Sequence, residues 1–134
     1  MKVINALSHY KLSVCDVLFD IDTVNNLLVP YEMDAPASNE EIENAIQVIQ
    51  KETSMVLEPL VPTTGFIKKG WVLPKILLGD LPVYITPTGA YIDEKYFGEN
   101  RDNISVMKNT VLDHYPHLSG YNLDSDHYTL WWWS

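Results

Sequence analysis

Residues 3–29 read VINALSHYKLSVCDVLFDIDTVNNLLV, and the way this stretch folds decides the architecture of the N-terminal part of the chain. It contains neither Gly nor Pro. Apolar residues recur at Val3, Leu7, Tyr10, Val14, Val17, Ile21, Val24 and Leu28. That unbroken alternation of three and four is the signature of an amphipathic helix. A strand reading competes over the middle, where Cys15, Val17, Phe19 and Ile21 alternate with Asp16, Leu18 and Asp20. β-Branched content supports the strand and the lack of turn residues supports the helix. The spacing therefore predicts helical structure, compatible with a break near residues 8–13 and ended by Pro30.

Working outward, residues 30–37 read as a loop and Ser38 opens a helix over about residues 39–53. Ser38 and Glu41 have capping-box spacing, and Glu40, Glu41 and Glu43 stand where the helix dipole favours anions. Ile42, Ala45, Ile46 and Ile49 make its apolar face. From residue 55 to 97, Pro59, Pro62, Pro74, Pro82 and Pro87 punctuate short β-like runs, which restricts those strands to short, edge or irregular forms. The clearest unit is a hairpin, with residues 83–86 and 90–92 flanking a Pro87-Thr88-Gly89 type I turn. Gly79-Asp80 turns the chain before it. A helix follows at 102–114 with Asp102 as its cap, its apolar face made by Ile104, Met107, Val111 and Leu112 with Tyr115 just beyond, and Pro116 stops it. Residues 120–126 read as a polar connector and 127–133 as a last strand. The fold class expected is α+β, with two to three helices packed on a short, Pro-interrupted antiparallel sheet. It would form a single domain over residues 1–134, with 1–53 mainly helical, 55–97 a β-hairpin part, 102–115 a helix and 127–133 a C-terminal strand.

The chain carries a formal net charge of −9, with 18 Asp and Glu against 8 Lys and a single Arg, Arg101. Arg is the preferred residue for bidentate phosphate and base contacts, and no Lys cluster exceeds Lys68-Lys69, so direct nucleic-acid binding is disfavoured. The acids are dispersed, which suits solubility better than mimicry of a polyanion. Cys15 is the only cysteine, so no internal disulfide can form, and its neighbours Val14, Val17 and Leu18 suggest a small core residue. Asn5, Ser8, His9 and Lys11 interrupt the N-terminal apolar residues, and no apolar run approaches membrane-spanning length. These features point to a soluble protein made in the cytoplasm, without a membrane partner.

The densest set of polar functional groups is Asp113, His114, His117, Asp124, Asp126 and His127, residue types able to ligate a divalent metal. Pro116 breaks regular geometry between the two nearest imidazoles, and no recognised metal spacing is present. Asp124-Ser125-Asp126 begins like a calcium loop but lacks the glycine and closing glutamate. Residues 65–71, GFIKKGW, have phosphate-loop glycine spacing, yet Trp71 stands where lysine is required. No nucleophile elbow occurs. No catalytic residue, cofactor or metal site is assigned.

Trp131, Trp132 and Trp133 close the chain, one residue before Ser134. In an extended strand they alternate between faces, so both faces need cover, and Trp and Tyr are the residues favoured at interfaces. Trp131, Trp132, Trp133 and Tyr128 are therefore the candidate protein interface. The leading expectation is a non-enzymatic structural or interaction protein, a small subunit of a larger protein assembly or homo-oligomer. A viral particle or tail component, incorporated into a virion, fits this pattern. Two alternatives stand beside it. One is a small acidic inhibitor or immunity protein that blocks a basic site on a toxin or nucleic-acid enzyme. The other is a metal-dependent hydrolase using the 113–127 cluster.

Overall fold

The computed structural model describes residues 3–31, 37–60, 70–93, 95–96, 104–120, 122–124 and 131–133, the last two segments as backbone. The fold is α+β. Residues 3–31 correct the helical expectation, because they form four strands: β1 (Ile4–Ser8), β2 (Lys11–Val14), β3 (Val17–Asp22) and β4 (Leu27–Pro30). The part over 1–53 is thus helical only in α1 (Asn39–Thr53). With β5 (Glu58–Pro59) and β6 (Trp71–Val72), the strands make an antiparallel six-stranded sheet in the order β1-β2-β3-β4-β6-β5.

The turns explain why this stretch resembles a helix. They are built from Ser, Asp and Asn in place of Gly and Pro. At the first turn the Tyr10 amide donates to Ser8 Oγ at 3.3 Å. At the second, Cys15 and Asp16 occupy a two-residue loop with φ of 52° and 65°, closing the Val14↔Val17 pair. Both residues carry the positive φ of a primed hairpin turn. At the third, Asp22 Oδ1 accepts from the amides of Val24 and Asn25 at 3.0 and 3.1 Å, an Asx turn, and Asn26 follows with φ 59°. Cys15 is exposed in its turn, contrary to its expected place in the core.

The helical stripe also fails as a core. Val3, Leu7, Tyr10 and Val24 are exposed, whereas Leu12 and Phe19, which lie off it, are fully buried. Period two accounts for the burial. Ile4↔Val14, Leu12↔Phe19 and Ile21↔Leu28 are cross-strand pairs of buried residues on one face. α1 packs over β2 and β3 and adds Ile42, Ala45, Ile46 and Ile49 to the same buried cluster. Its capping box is formed as the spacing requires. The Glu41 amide donates to Ser38 Oγ at 3.2 Å, and the Ser38 amide donates to Glu41 Oε1 at 3.1 Å. Hydrogen bonding from the Ser38 amide and then its side chain holds the Glu41 carboxyl below its ordinary value.

A second sheet, in the order β7-β8-β9, holds β7 (Lys75–Leu78), β8 (Leu81–Ile85) and β9 (Ala90–Tyr91). Gly79, at φ 66°, turns β7 into β8, and the expected hairpin follows with Tyr84↔Tyr91 and Ile85↔Ala90 in register. Prolines enter these sheets without breaking them. Pro30, Pro59 and Pro82 each stand opposite a residue of the paired strand at a position that exchanges no amide bond with it. The flanking bonds establish the alternation: the Tyr31 amide donates to the Leu18 carbonyl and the Leu60 amide to the Gly70 carbonyl. For Pro82 the two-residue turn sets the same phase, and its missing N–H faces the β9 side of β8 beyond the residues that β9 pairs.

α2 spans Ile104–His114, with Met107 and Val111 buried, and a 3-10 turn follows at Pro116–Gly120. Residues 101–103, with the expected Asp102 cap, lie outside the described residues. The expected polar connector at 120–126 contains a strand instead: β10 (Asn122–Asp124) pairs antiparallel with β11 (Trp131–Trp133). The rest of the expected 127–133 strand lies outside the described residues. Among the described residues no helix is long and apolar enough to cross a membrane.

Two stability outcomes follow. Replacing Cys15-Asp16 by Asn-Gly relieves two side chains held at positive φ and should raise unfolding free energy in denaturant titration by roughly 1 kcal/mol. Phe19→Ala should cost about 3–5 kcal/mol, whereas Val24→Ala, which lies on the helical stripe but is exposed, should stay within about 0.5 kcal/mol.

Candidate functional site

The Asp22–Asn26 turn does more than close a hairpin. Asn25 Nδ2 donates to Asp22 Oδ2 at 2.9 Å, so the amide orientation is set by a group that can only accept. Asn26, held in the left-handed region, accepts at Oδ1 from the Tyr91 hydroxyl at 2.7 Å, and its carbonyl accepts from the Leu73 amide. Tyr91 is buried and its ring stacks on Tyr84 at 5.4 Å between centroids with an interplanar angle of 22°. Burial pushes the Tyr91 hydroxyl far above its ordinary pKa, with Tyr84 and Asp22 adding to the effect, so it stays a neutral donor.

Asn25, Asn26 and Tyr84 line a cleft of about 570 Å³ together with Glu58 of β5 and Lys75 of β7. Val56, Val72, Leu73 and Pro74 supply its apolar wall. Glu58 and Lys75 are exposed, and neither forms an ion pair among the described residues. None of these residues except Tyr84 stands out in the sequence. The one local signal is the Asp22-to-Asn26 turn pattern, and the cleft draws on separate segments that only the tertiary fold brings together.

The His/Asp set has a different arrangement. His114 Nδ1 lies 3.0 Å from the Thr110 carbonyl of its own helix. His117 leaves the helix in the 3-10 turn and reaches the β8–β9 hairpin, where its Nε2 lies 3.3 Å from the Thr86 carbonyl. Thr86 also closes that hairpin, donating its amide and hydroxyl to the Gly89 carbonyl at 2.7 and 2.9 Å. His117 Nδ1 is buried without a hydrogen-bond partner among the described residues, and Tyr115 meets the ring edge-on at 6.1 Å. Asp113 is exposed. Among the described residues, no three His, Cys, Asp or Glu side chains are placed to hold a metal ion. The backbone of Asp124 is in β10, while Asp126 and His127 lie outside the described residues.

The backbone of Trp131–Trp133 is paired within its own chain, with Trp131 opposite Asp124, Trp132 opposite Leu123 and Trp133 opposite Asn122. β11 also runs beside β9 and the 3-10 turn. Tyr128, the other residue of the expected interface, lies outside the described residues. The first three strands and their turns also carry exposed apolar side chains. Val3, Leu7, Tyr10 and Leu18 are 46%, 56%, 49% and 44% exposed.

No family model matches this chain, and no curated protein or solved structure matches it either.

Burial holds the His117 imidazole below its ordinary pKa, against the opposing effect of its bond to Thr86. The folded chain therefore resists protonation at His117 and the unfolded chain accepts it more readily. The contribution to stability is flat above pH ~6.5 and falls as pH drops below that value, by at most about 1.4 kcal/mol per pH unit. Thermal melts between pH 7.5 and pH 5, at roughly the histidine range, should show this slope in the native chain and lose it in His117→Gln.

Proposed function

We propose that this chain is a non-enzymatic interaction protein, a small subunit of a larger protein assembly. The observation that carries the reading is the exposure of the apolar side chains Val3, Leu7, Tyr10 and Leu18 along the first three strands and their turns. Exposed apolar side chains suit a protein contact, because covering them removes apolar surface from water without having to satisfy polar groups. The Trp131–Trp133 strand supports the same reading by residue type, since Trp is enriched where interfaces are strongest.

A second reading is favoured by α1. Its outward positions Glu40, Glu41, Glu43 and Glu52 are exposed and oppose a single Lys51, giving an acidic helix face suited to a basic protein site. Binding of that kind weakens steeply with salt, whereas apolar docking does not.

Size-exclusion chromatography with light scattering on the whole chain tests the leading reading, with a second copy as the first partner. The expected mass is a multiple of 15.3 kDa. The double variant Leu7→Lys with Leu18→Lys should return it to a single chain while the circular dichroism spectrum is unchanged. A native chain that elutes as a monomer at all concentrations overturns self-assembly through this surface.

A further inference from the structure

We propose that the cleft between the Asp22–Asn26 turn and strands β7 and β8 binds short peptides with both ends free, a zwitterionic ligand with an aliphatic side chain. The inference stands apart from the assembly reading, because it uses none of Val3, Leu7, Tyr10, Leu18 or the tryptophans.

The amides on the cleft wall are fixed from behind. Asn25 gives its Nδ2 to Asp22, which leaves Oδ1 as an acceptor with no hydrogen bond among the described residues. Asn26 Oδ1 accepts from the Tyr91 hydroxyl, which leaves Nδ2 as a donor with no hydrogen bond among the described residues. Adjacent residues thus offer one acceptor and one donor, the complement of a peptide N–H and C=O. Tyr84 is held in turn by its stack on Tyr91. Groups already locked by partners lose little freedom when a ligand arrives, which is the condition for useful affinity in a small site.

The charges select the ligand class. Glu58 and Lys75 both line the cleft, both are exposed, and neither is neutralised by an ion pair among the described residues. A peptide with free ends supplies an ammonium for Glu58 and a carboxylate for Lys75. A neutral sugar leaves both charges unmatched. A nucleotide sets several negative charges against one lysine, beside Glu58 and in a chain of net charge −9. Val56 and Val72, 69% and 40% exposed, offer apolar surface for an aliphatic side chain. The volume of about 570 Å³ falls within the range of roughly 300–1,000 Å³ typical of small-ligand sites.

The test is a titration of the isotope-labelled whole chain with the dipeptide Ala-Leu, followed by NMR at the side-chain amides of Asn25 and Asn26. Saturable shifts at both amides are expected. Acetylating the dipeptide's amine or amidating its carboxylate should weaken binding by about tenfold each, the effect of one lost charge contact. Glu58→Gln should abolish the discrimination against the acetylated form and Lys75→Gln that against the amidated form. Both side chains are exposed, so the variants leave the core intact. Absence of shifts at about 10 mM dipeptide, a concentration that populates even weak millimolar complexes, overturns the proposal. So does binding of the acetylated and amidated dipeptides as tight as that of unmodified Ala-Leu.

Discussion

The inner face of the six-stranded sheet must be kept from water, and the rest of the fold is arranged around that requirement. Leu12, Val14, Val17, Phe19, Ile21 and Leu28 present a continuous apolar surface that a lone antiparallel sheet would leave wet on one side. α1 covers part of it with a helical face of matching character. Residues of β8, β9, α2 and the 3-10 turn complete the same buried cluster through Val83, Ile85, Tyr91, Met107, Val111 and Leu118. The two larger sheets therefore share a core, although β6 and β7 are separated by only Leu73 and Pro74.

The polar residues that close the turns also connect the parts. Asp22 organises its own turn, Asn25 is oriented by it, and Asn26 reaches the Tyr91 hydroxyl on the other sheet. His117 does the same on the other side of the fold, tying the segment after α2 to the carbonyl of Thr86 at the hairpin tip. Part-buried bonds such as those of Asn26 to Tyr91 and His117 to Thr86 contribute little net energy, but leaving one partner alone is costly, so they select one arrangement over its near alternatives. The cleft lies beside the Asn26–Tyr91 bond, so its wall is as ordered as the junction that forms it.

Legibility in the sequence followed how local each cause was. The capping box of α1, its buried face, the Gly79 turn and the register of the β8–β9 hairpin all depend on residues a few positions apart, and each was readable. The first four strands were not. Their turns rest on Ser8, Cys15-Asp16 and the Asp22–Asn26 segment, none of which carries a Gly or Pro signal. A stripe of period 3.5 happened to run through the same residues, yet half of it faces solvent. Cys15 was misplaced for a related reason: apolar neighbours in sequence say nothing about a residue at the apex of a hairpin, where the chain is at its most exposed. The site was less legible still, since Asn25, Glu58, Lys75 and Tyr84 meet only when four segments are assembled.

By itself, the sequence determined the α+β composition, the limits of α1, the strongest hairpin and the acidic, Arg-poor character of the chain, because these follow from spacing, capping and charge along the chain. Only the tertiary structure decided between period 2 and period 3.5 in residues 3–29. Both periods were present, and the choice was made by which residues an opposing helix and sheet could cover. The tertiary structure likewise decided that His117 would bond a distant carbonyl, that Trp131–Trp133 would pair with residues 122–124, and that Glu58 and Lys75 would share a cleft. Each depends on contacts between segments far apart in the chain, whose energy exists only once the core has brought them together.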